Sequence, residues 1–386
     1  MSLINGRYKK VGRIGEGSYG DVYKCIDYLP DQPPRTLPSE TCKLVKDVQY
    51  GLISTDTDDF EENFQNQFKE NDKYLKEEVK IDSVEEGKES YVAIKKSKWR
   101  RMDYLKHSFN FSTFKEISFL QELEHPNIVK IRDIFFKDIS IYVVLEYMVG
   151  DLHQLVHKDK AALSPSHVKY IMKEILTGLQ FMHDKNIMHR DLKPGNLLIS
   201  DKGEIRYADF GIARYYEREI LQDKETDSAQ LTRNVCTRYY KPPEILYGAN
   251  EYDFSVDIWG VGCIMAEITL GRHLFQGENE LDQLNKIFST LGNAVEDNWP
   301  GVSELPNYIE YDCEIQEDLD TLFSSQTEDF IDLIKNMIIL DPSKRFTVKE
   351  ALEHKYFTSE PPACLPSELP LPVPLTEAID DFTDSD

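Results

Sequence analysis

The hydrophobic positions of the chain change their period part-way along. Over residues 8–24 apolar and polar residues alternate around glycines, which predicts two strands joined by a turn. The β-branched runs at 91–95 (YVAIK) and 139–145 (ISIYVVL) predict further strands. From residue 164 onward the period lengthens, with Ile171, Ile175, Leu179 and Met182 recurring at the three- and four-residue steps of a helix face. Strands first and helices later give an α+β class, a small sheet-rich lobe followed by a larger helical one. The changeover is expected at residues 146–150.

Two segments break this plan. Residues 27–90 separate one expected strand from the next by far more than a hairpin loop, and loops of that length are functional or disordered. Their 17 Asp/Glu against 8 Lys/Arg favour a solvated acidic insert. The alternative is an amphipathic helix through Phe60, Phe64 and Phe68, with Leu75 and Val79 similarly spaced, docking on a partner or on the small lobe. The tail is Pro-rich (PPACLPSELPLPVPL) and then acidic, an extended strap ending in disorder. The expected division is a first lobe over 1–147 containing the insert 27–90, a second over 148–358, and the tail over 359–386.

Composition narrows the class. A chain of 386 residues with 40% hydrophobic and 11% aromatic residues suits a folded protein with a sizeable core. The net charge of −24 sits mostly in the insert and the tail. A chain this acidic lacks the basic footprint that engages phosphate backbones, so direct nucleic-acid binding is not expected. The six cysteines form no C-x-x-C pair, which makes reduced thiols the expectation. The opening MSLINGRYKK has no apolar run, and Ser2 is not the glycine that myristoylation needs. The most apolar later stretch, 258–270, is too short for a bilayer and is interrupted by Glu267, so a soluble intracellular protein is expected.

Three groups of residues carry chemistry. Gly15, Gly17 and Gly20 in GEGSYGDV let backbone N–H groups approach phosphates. The pattern alone also suits a dinucleotide fold or a plain hairpin. A strand-like DVYKCI follows where a dinucleotide site needs a helix, which favours a loop folded over nucleotide phosphates. Lys95 closes the run VAIK and in isolation reads as a solvated strand end. With an acid partner its ammonium can be held against α- and β-phosphates. Glu116 is that partner, on a helix whose Phe114, Ile117 and Leu120 mark one apolar face.

The third group is the most specific. His189-Arg190-Asp191-Leu192-Lys193-Pro194-Gly195-Asn196 is followed thirteen residues beyond Asn196 by Asp209-Phe210-Gly211. Phosphoryl transfer asks for charge neutralisation and in-line geometry rather than covalent work by the protein. Asn196 and Asp209 offer oxygens to a hard cation such as Mg²⁺. Asp191 can orient an acceptor hydroxyl and take its proton, and Lys193 can offset charge growing on the γ-phosphoryl group.

These groups, in this order, resemble the protein kinase superfamily over roughly residues 8–357. Pro242-Pro243-Glu244 stands where that family has A-P-E, Asp257-Ile258-Trp259-Gly260 resembles its D-x-W-x-x-G helix, and Arg345 matches the arginine that pairs with the A-P-E glutamate. The resemblance implies a bilobal fold, with a small β-rich N-lobe holding one regulatory helix and a larger, mostly α-helical C-lobe. It implies an ATP site of Ile14, Gly15, Glu16, Gly17, Ser18, Tyr19, Gly20, Val22, Ala93 and Lys95, with Leu145 as gatekeeper. Glu146 and Met148 would meet adenine, Asp151 the ribose, and Asn196 and Asp209 the magnesium. The form DLKPxN is that of Ser/Thr kinases.

FSTFKEISFLQELEHPNIV is similar to the cyclin-binding helix of cyclin-dependent kinases, and VCTRYYKPPEILYGANEYDFSVDIWGVGCIMAEI and GENELDQLNKIFSTLG resemble the same group. Together with NWPGVSELP and the tail, they resemble most its CDK-activating branch. That implies a cyclin H-like partner, an assembly factor, a nuclear location, and other CDKs or RNA polymerase II C-terminal repeats as substrates. Thr232 then matches the activation-loop phosphothreonine, with Lys115, Arg190 and Arg214 as its cationic pocket. Ser18 and Tyr19 match inhibitory phosphosites, though Tyr19 also reads as a residue simply packed at the loop tip.

Three departures stand out. Lys115 replaces an arginine, turning a bidentate phosphate contact into a point charge. Lys241 stands where proline-directed kinases carry arginine, and in casein kinase 2-like enzymes such a lysine goes with acidic substrates. The insert has no counterpart. The alternatives are a cyclin-independent Ser/Thr kinase preferring acidic sites and a pseudokinase scaffold. The presence of Lys95, Glu116, Asp191, Asn196 and Asp209 weighs against the scaffold.

Overall fold

The computed structural model describes residues 3–17, 20–49, 90–98, 111–137, 140–216 and 236–373. The alternative helix through Phe60, Phe64 and Phe68, with Leu75 and Val79, lies outside them, as does the acidic end of the tail. The chain forms two compact units: one from Met1–Glu124 and Ile128–Val149, the other chiefly from Gly150–Pro372, which also takes in His125–Asn127. No helix among the described residues is long and apolar enough to cross a membrane. All six cysteines are unpaired.

Among the described residues, the first unit is a sheet with two helices. Strands β1 (Tyr8–Gly17), β2 (Gly20–Asp27), β3 (Ser90–Lys98), β4 (Ile131–Lys137) and β5 (Ser140–Glu146) form one antiparallel sheet in the order β1-β2-β3-β5-β4. The helices are α1 (Ser39–Gln49) and α2 (Phe111–Glu122). Side chains on a strand alternate between faces. Val92 and Ile94 therefore enter one buried cluster with Tyr8, Cys25, Phe135, Tyr142 and Val144. There Phe135 stacks on Tyr8 at 5.7 Å and on Tyr142 at 4.8 Å between ring centroids. The same alternation sends Lys95 and Ser97 to the opposite face, where they meet α2. Ser97 Oγ lies 3.2 Å from Thr113 Oγ1, and Lys95 Nζ donates to both Glu116 oxygens at 2.8 and 2.6 Å. A two-residue step along the strand matches a three-residue step along the helix.

Helix α2 is buried well beyond one face: Thr113, Phe114, Glu116, Ile117, Ser118, Phe119 and Leu120 are all buried. The cause lies in the insert. Its first part, expected to be solvated, is packed: Leu37, Thr41 and Val45 are buried and α1 lies against α2. The Leu37 amide donates to Gln121 Oε1 at 3.2 Å, and Lys46 pairs with Glu122 at 3.7 Å. Arg35, just before α1, is fastened to Asp133, a fully buried residue of β4. Its amide and Nε reach Oδ1 at 2.9 and 3.0 Å, while Tyr8 donates its hydroxyl to Oδ2 at 2.7 Å. Arg7 closes the corner with two 2.7 Å hydrogen bonds to Asp27.

The second unit is helical. Its long helices are α3 (Pro165–Asp184), α4 (Ser255–Leu270), α5 (Glu280–Leu291) and α6 (Glu328–Met337). Ser164 starts α3 by accepting the His167 amide at 3.3 Å, with Pro165 in the first turn. The stripe Ile171, Ile175, Leu179 and Met182 is wholly buried. Helix α4 is buried on every side from Val256 to Ile268 and ends at Gly271, whose φ of +68° suits glycine. Two small sheets carry the functional loops: β7 (Ile187–Met188) with β10 (Arg214–Tyr215), and β6 (Gly150–Asp151) with β8 (Leu197–Ile199) and β9 (Ile205–Tyr207). Arg345 forms a bidentate pair with Glu244, both contacts 2.6 Å and both side chains buried. The described tail runs along α3, where Lys169 donates to the carbonyls of Ser359 and Pro361 at 2.6 and 2.7 Å.

Burial alone would raise the Asp133 carboxyl pKa, but hydrogen bonds from Arg35 and Tyr8 and the Arg35 charge outweigh it and hold it below its ordinary value. A carboxyl depressed in the folded state stabilises at pH values above its unfolded pKa of about 4, and that stability is lost as pH falls through the folded value. Asp133→Asn should therefore cost about 3–5 kcal/mol at pH 7. The gap to wild type should close on acidification. Urea unfolding across that pH range checks it, and a gap that stays constant would contradict the assignment.

Candidate active site

The loop between β7 and β8 is held in a conformation its sequence does not favour. Arg190 in this loop has φ +67°, and Asp209, just after β9, has φ +61°, left-handed values uncommon outside glycine. Asp257, at the start of α4, fixes the loop from below. Its buried carboxylate accepts the His189 amide at 2.9 Å, the Arg190 amide at 2.8 Å and a His183 ring contact at 2.9 Å. Burial works against charge on Asp257, yet these partners keep its carboxyl pKa lowered. Phe210 is fully buried, with its ring 5.2 Å from that of His189. The Ala208 amide donates to the Asn196 carbonyl at 2.9 Å, which ties the DFG segment to the loop.

The Asp191 carboxylate is met from four directions. Oδ1 accepts the Thr237 amide at 3.0 Å and the Thr237 hydroxyl at 2.8 Å. Oδ2 accepts Lys193 Nζ at 2.6 Å and Asn196 Nδ2 at 3.1 Å. Burial pushes this carboxyl up, but the Lys193 charge and the hydrogen bonds from Lys193 and Thr237 prevail and its pKa is lowered. The group is an ionised acceptor at neutral pH: a weak base but a firm orienter of a hydroxyl. Asn196 spends its amide nitrogen on Asp191, at both the carboxylate and the backbone carbonyl (2.8 Å), so Oδ1 is the end left to face a cation. Asn196 Oδ1 and the Asp209 carboxylate are hard oxygen donors of the kind Mg²⁺ takes. Thr237 was not singled out in the sequence. Only its place in VCTRYYKPPE, near the Pro242-Pro243-Glu244 marker, could have drawn attention to it.

In the first unit, Lys95 and Glu116 form a buried ion pair. Ile14, Gly15, Glu16 and Gly17 lie on β1 and Gly20 and Val22 on β2, with Gly15 opposite Val22 and Gly17 opposite Gly20. Ser18 and Tyr19 lie outside the described residues. Ala93, Leu145 and Met148 are buried, with Ala93 directly across the sheet from Leu145. The Glu146 amide is bound to the Lys130 carbonyl at 3.0 Å, and its side chain accepts the Lys130 amide at 2.7 Å. In the second unit, Asp151 Oδ1 caps the following turn by accepting the Gln154 amide at 2.8 Å. Burial raises the Asp151 carboxyl pKa.

Of the residues assigned to the phosphothreonine pocket, Thr232 lies outside the described residues and Lys115 belongs to the first unit. The second unit brings Arg190 and Arg214 together. Burial, then the neighbouring Arg190 charge, lowers the Arg214 pKa, as like charges gathered in one place require. Arg190 also donates to the Ile212 carbonyl at 2.8 and 2.6 Å and to the Tyr252 hydroxyl at 2.7 Å. Lys241 is buried, and its ammonium donates to Glu280 at 2.8 Å.

Comparison with known proteins places this geometry. Residues 79–357 match the protein kinase domain model. The chain is 38% identical over 317 residues to cyclin-dependent kinase D-1 of Arabidopsis thaliana, covering 80% of this chain and 76% of that protein. It is 41% identical over 263 residues to cyclin-dependent kinase 7 of Dictyostelium discoideum, covering 68% and 71%. A chain in the structure of the CAK complex from Chaetomium thermophilum bound to ATP-gamma-S superposes with a TM-score of 0.70 at 29% identity, over 95% of both chains. The chain belongs to the protein kinase family and is a serine/threonine kinase of the cyclin-dependent group.

Proposed function

We propose that this kinase transfers the γ-phosphoryl group of ATP to Ser or Thr hydroxyls of protein substrates, with Asp191 orienting the acceptor. The observation that carries the reading is the Asp191 carboxylate, kept ionised and aimed by Thr237, Lys193 and Asn196. An orienter of this kind suits a loose transition state, in which the acceptor proton leaves late and little basicity is needed. Lys193, already 2.6 Å from Asp191, can swing its ammonium toward charge that grows on the transferred group. Lys95, steadied by Glu116, would hold the α- and β-phosphates. Asn196 and Asp209 would hold magnesium, which when bound neutralises charge on the phosphate oxygens.

The names of the relatives, cyclin-dependent kinases, support a cyclin partner; α2 as its docking helix, and an assembly factor beside it, rest on the resemblance of the sequence to the CDK-activating branch. A nuclear location, with other CDKs or RNA polymerase II C-terminal repeats as substrates, is the reading that the sequence resemblance to the CDK-activating branch favours. Thr232, once phosphorylated, would place a doubly charged group against Arg190 and Arg214 and order its segment. The ion pair of Lys241 with Glu280 bears on substrate choice. A lysine whose charge is already met offers little to an acidic residue of a substrate, which favours the proline-directed reading over the acidic one.

With Mg·ATP and a protein substrate, Asp191→Ala should lower the turnover number by about 10² or more while leaving nucleotide affinity in place. Equal rates for variant and wild type would end the catalytic assignment. A peptide array should show Lys241→Arg shifting selectivity further toward sites followed by proline, and an unchanged profile would refute the role given to this position. Thr232→Ala should reduce activity in the absence of a partner subunit, measured as phosphate transfer per enzyme; full partner-free activity would contradict the phosphosite.

A further inference from the structure

Three separate parts of the second unit converge on Glu267. Glu267 lies near the end of α4 and is fully buried. His157, from the turn Gln154–Lys158, sets Nε2 2.6 Å from Glu267 Oε1. His273, just beyond the end of α4, sets Nδ1 3.2 Å from Oε2. Tyr240, from the segment Arg238–Tyr240, donates its hydroxyl to Oε2 at 2.7 Å. Among the described residues the partners of this buried carboxylate are thus two imidazoles and a phenol, with neither lysine nor arginine. An ionised carboxylate taken out of water calls for a nearby positive charge.

We propose that His157, Glu267 and His273 form a binding site for a borderline transition dication, zinc above all. One ligand atom from each lies within 4.8 Å of the other two. Two imidazole nitrogens and one carboxylate oxygen, with a fourth position for water, are a donor set zinc takes readily. Nitrogen donors exclude magnesium and calcium as the natural occupants. Tetrahedral zinc with bonds of about 2.0–2.1 Å separates its ligand atoms by roughly 3.3 Å. The His273 contact with Oε2 already meets that spacing, and the His157 contact with Oε1 needs to open by less than about 1 Å. A small turn of the carboxylate would let one oxygen serve both and bring the ligand atoms in from their present 4.8 Å limit. The side chains of His157 and His273 are 21% and 17% exposed, which gives an ion a way in.

The Tyr240 hydroxyl sits beside the site, 3.4 Å from His273 Nδ1 and bonded to Glu267. Binding would therefore fasten the segment Arg238–Tyr240, immediately after Thr237, to the end of α4. The assignment stands apart from the phosphoryl-transfer reading, because it uses none of the groups around Asp191.

The test is calorimetric titration of the full chain with zinc in excess Mg²⁺, alongside cobalt(II) absorption and thermal unfolding. Wild type should take up one tight equivalent, show the intense visible bands of tetrahedral cobalt and melt at a higher temperature with zinc. The pair His157→Ala and His273→Ala should weaken that uptake by more than about tenfold and abolish the cobalt bands. Should the double variant fail to fold, His273→Gln alone, at a partly exposed position, must give the same loss. Absence of a tight equivalent in wild type would leave Glu267 balanced by imidazolium and overturn the proposal. So would uptake that survives the histidine substitutions, which would assign it to cysteines or to Asn196 and Asp209.

Discussion

A buried carboxylate accepting two consecutive backbone amides is the constraint on which the catalytic half of this molecule rests. Asp257 holds His189 and Arg190 by their N–H groups, and Arg190 is held at a φ that a side chain disfavours. Strain of this kind costs on the order of 1–3 kcal/mol per residue and persists only where its surroundings enforce it. Helix α4, buried on every side, supplies that enforcement: it can hardly shift, so the carboxylate it carries can hardly shift. The position of Asp191 follows from the bend imposed just before it, and Thr237, Lys193 and Asn196 then fix its direction.

The first unit solves a matching problem with different means. The alternation of a β-strand delivers Lys95 to the face opposite the aromatic cluster, and the spacing of α2 delivers Glu116 to meet it. An ion pair this well buried is costly to form unless both members are held in register. The Ser97–Thr113 contact and the packing of α1 hold α2 from two sides. The chain thus carries part of the bracing for its regulatory helix within its own insert. Arg35 and Asp133 anchor that brace to the sheet.

Much of this was legible in the sequence because it is local. The run from His189 to Asn196, the DFG triplet, the VAIK strand and the helical stripe from Ile171 to Met182 each carry their meaning within a few residues. What was missed depends on distant partners. Helix α1 meets α2 far along the chain, with Thr41 and Val45 buried beside the preceding Leu37, and nothing local announces that contact, so an acidic composition outweighed it. Thr237 has no spacing rule linking it to Asp191, because the chain returns to that carboxylate after a long excursion. The meeting of His157 and His273 at Glu267 is likewise invisible until α4 is folded. Glu267 itself was noticed only as an interruption in an apolar run, when its burial is the informative fact.

The central claim is that Asn196 and Asp209 present their oxygens to magnesium while Asp191 faces the transferred phosphoryl group. A crystal structure of the kinase with Mg²⁺ and a non-hydrolysable ATP analogue measures this directly. The account predicts metal coordinated by Asn196 Oδ1 and the Asp209 carboxylate, with Asp191 still bonded to Thr237 and turned toward the terminal phosphate. Metal bound elsewhere, or an Asp191 carboxylate turned away from that phosphate in the closed complex, would contradict it.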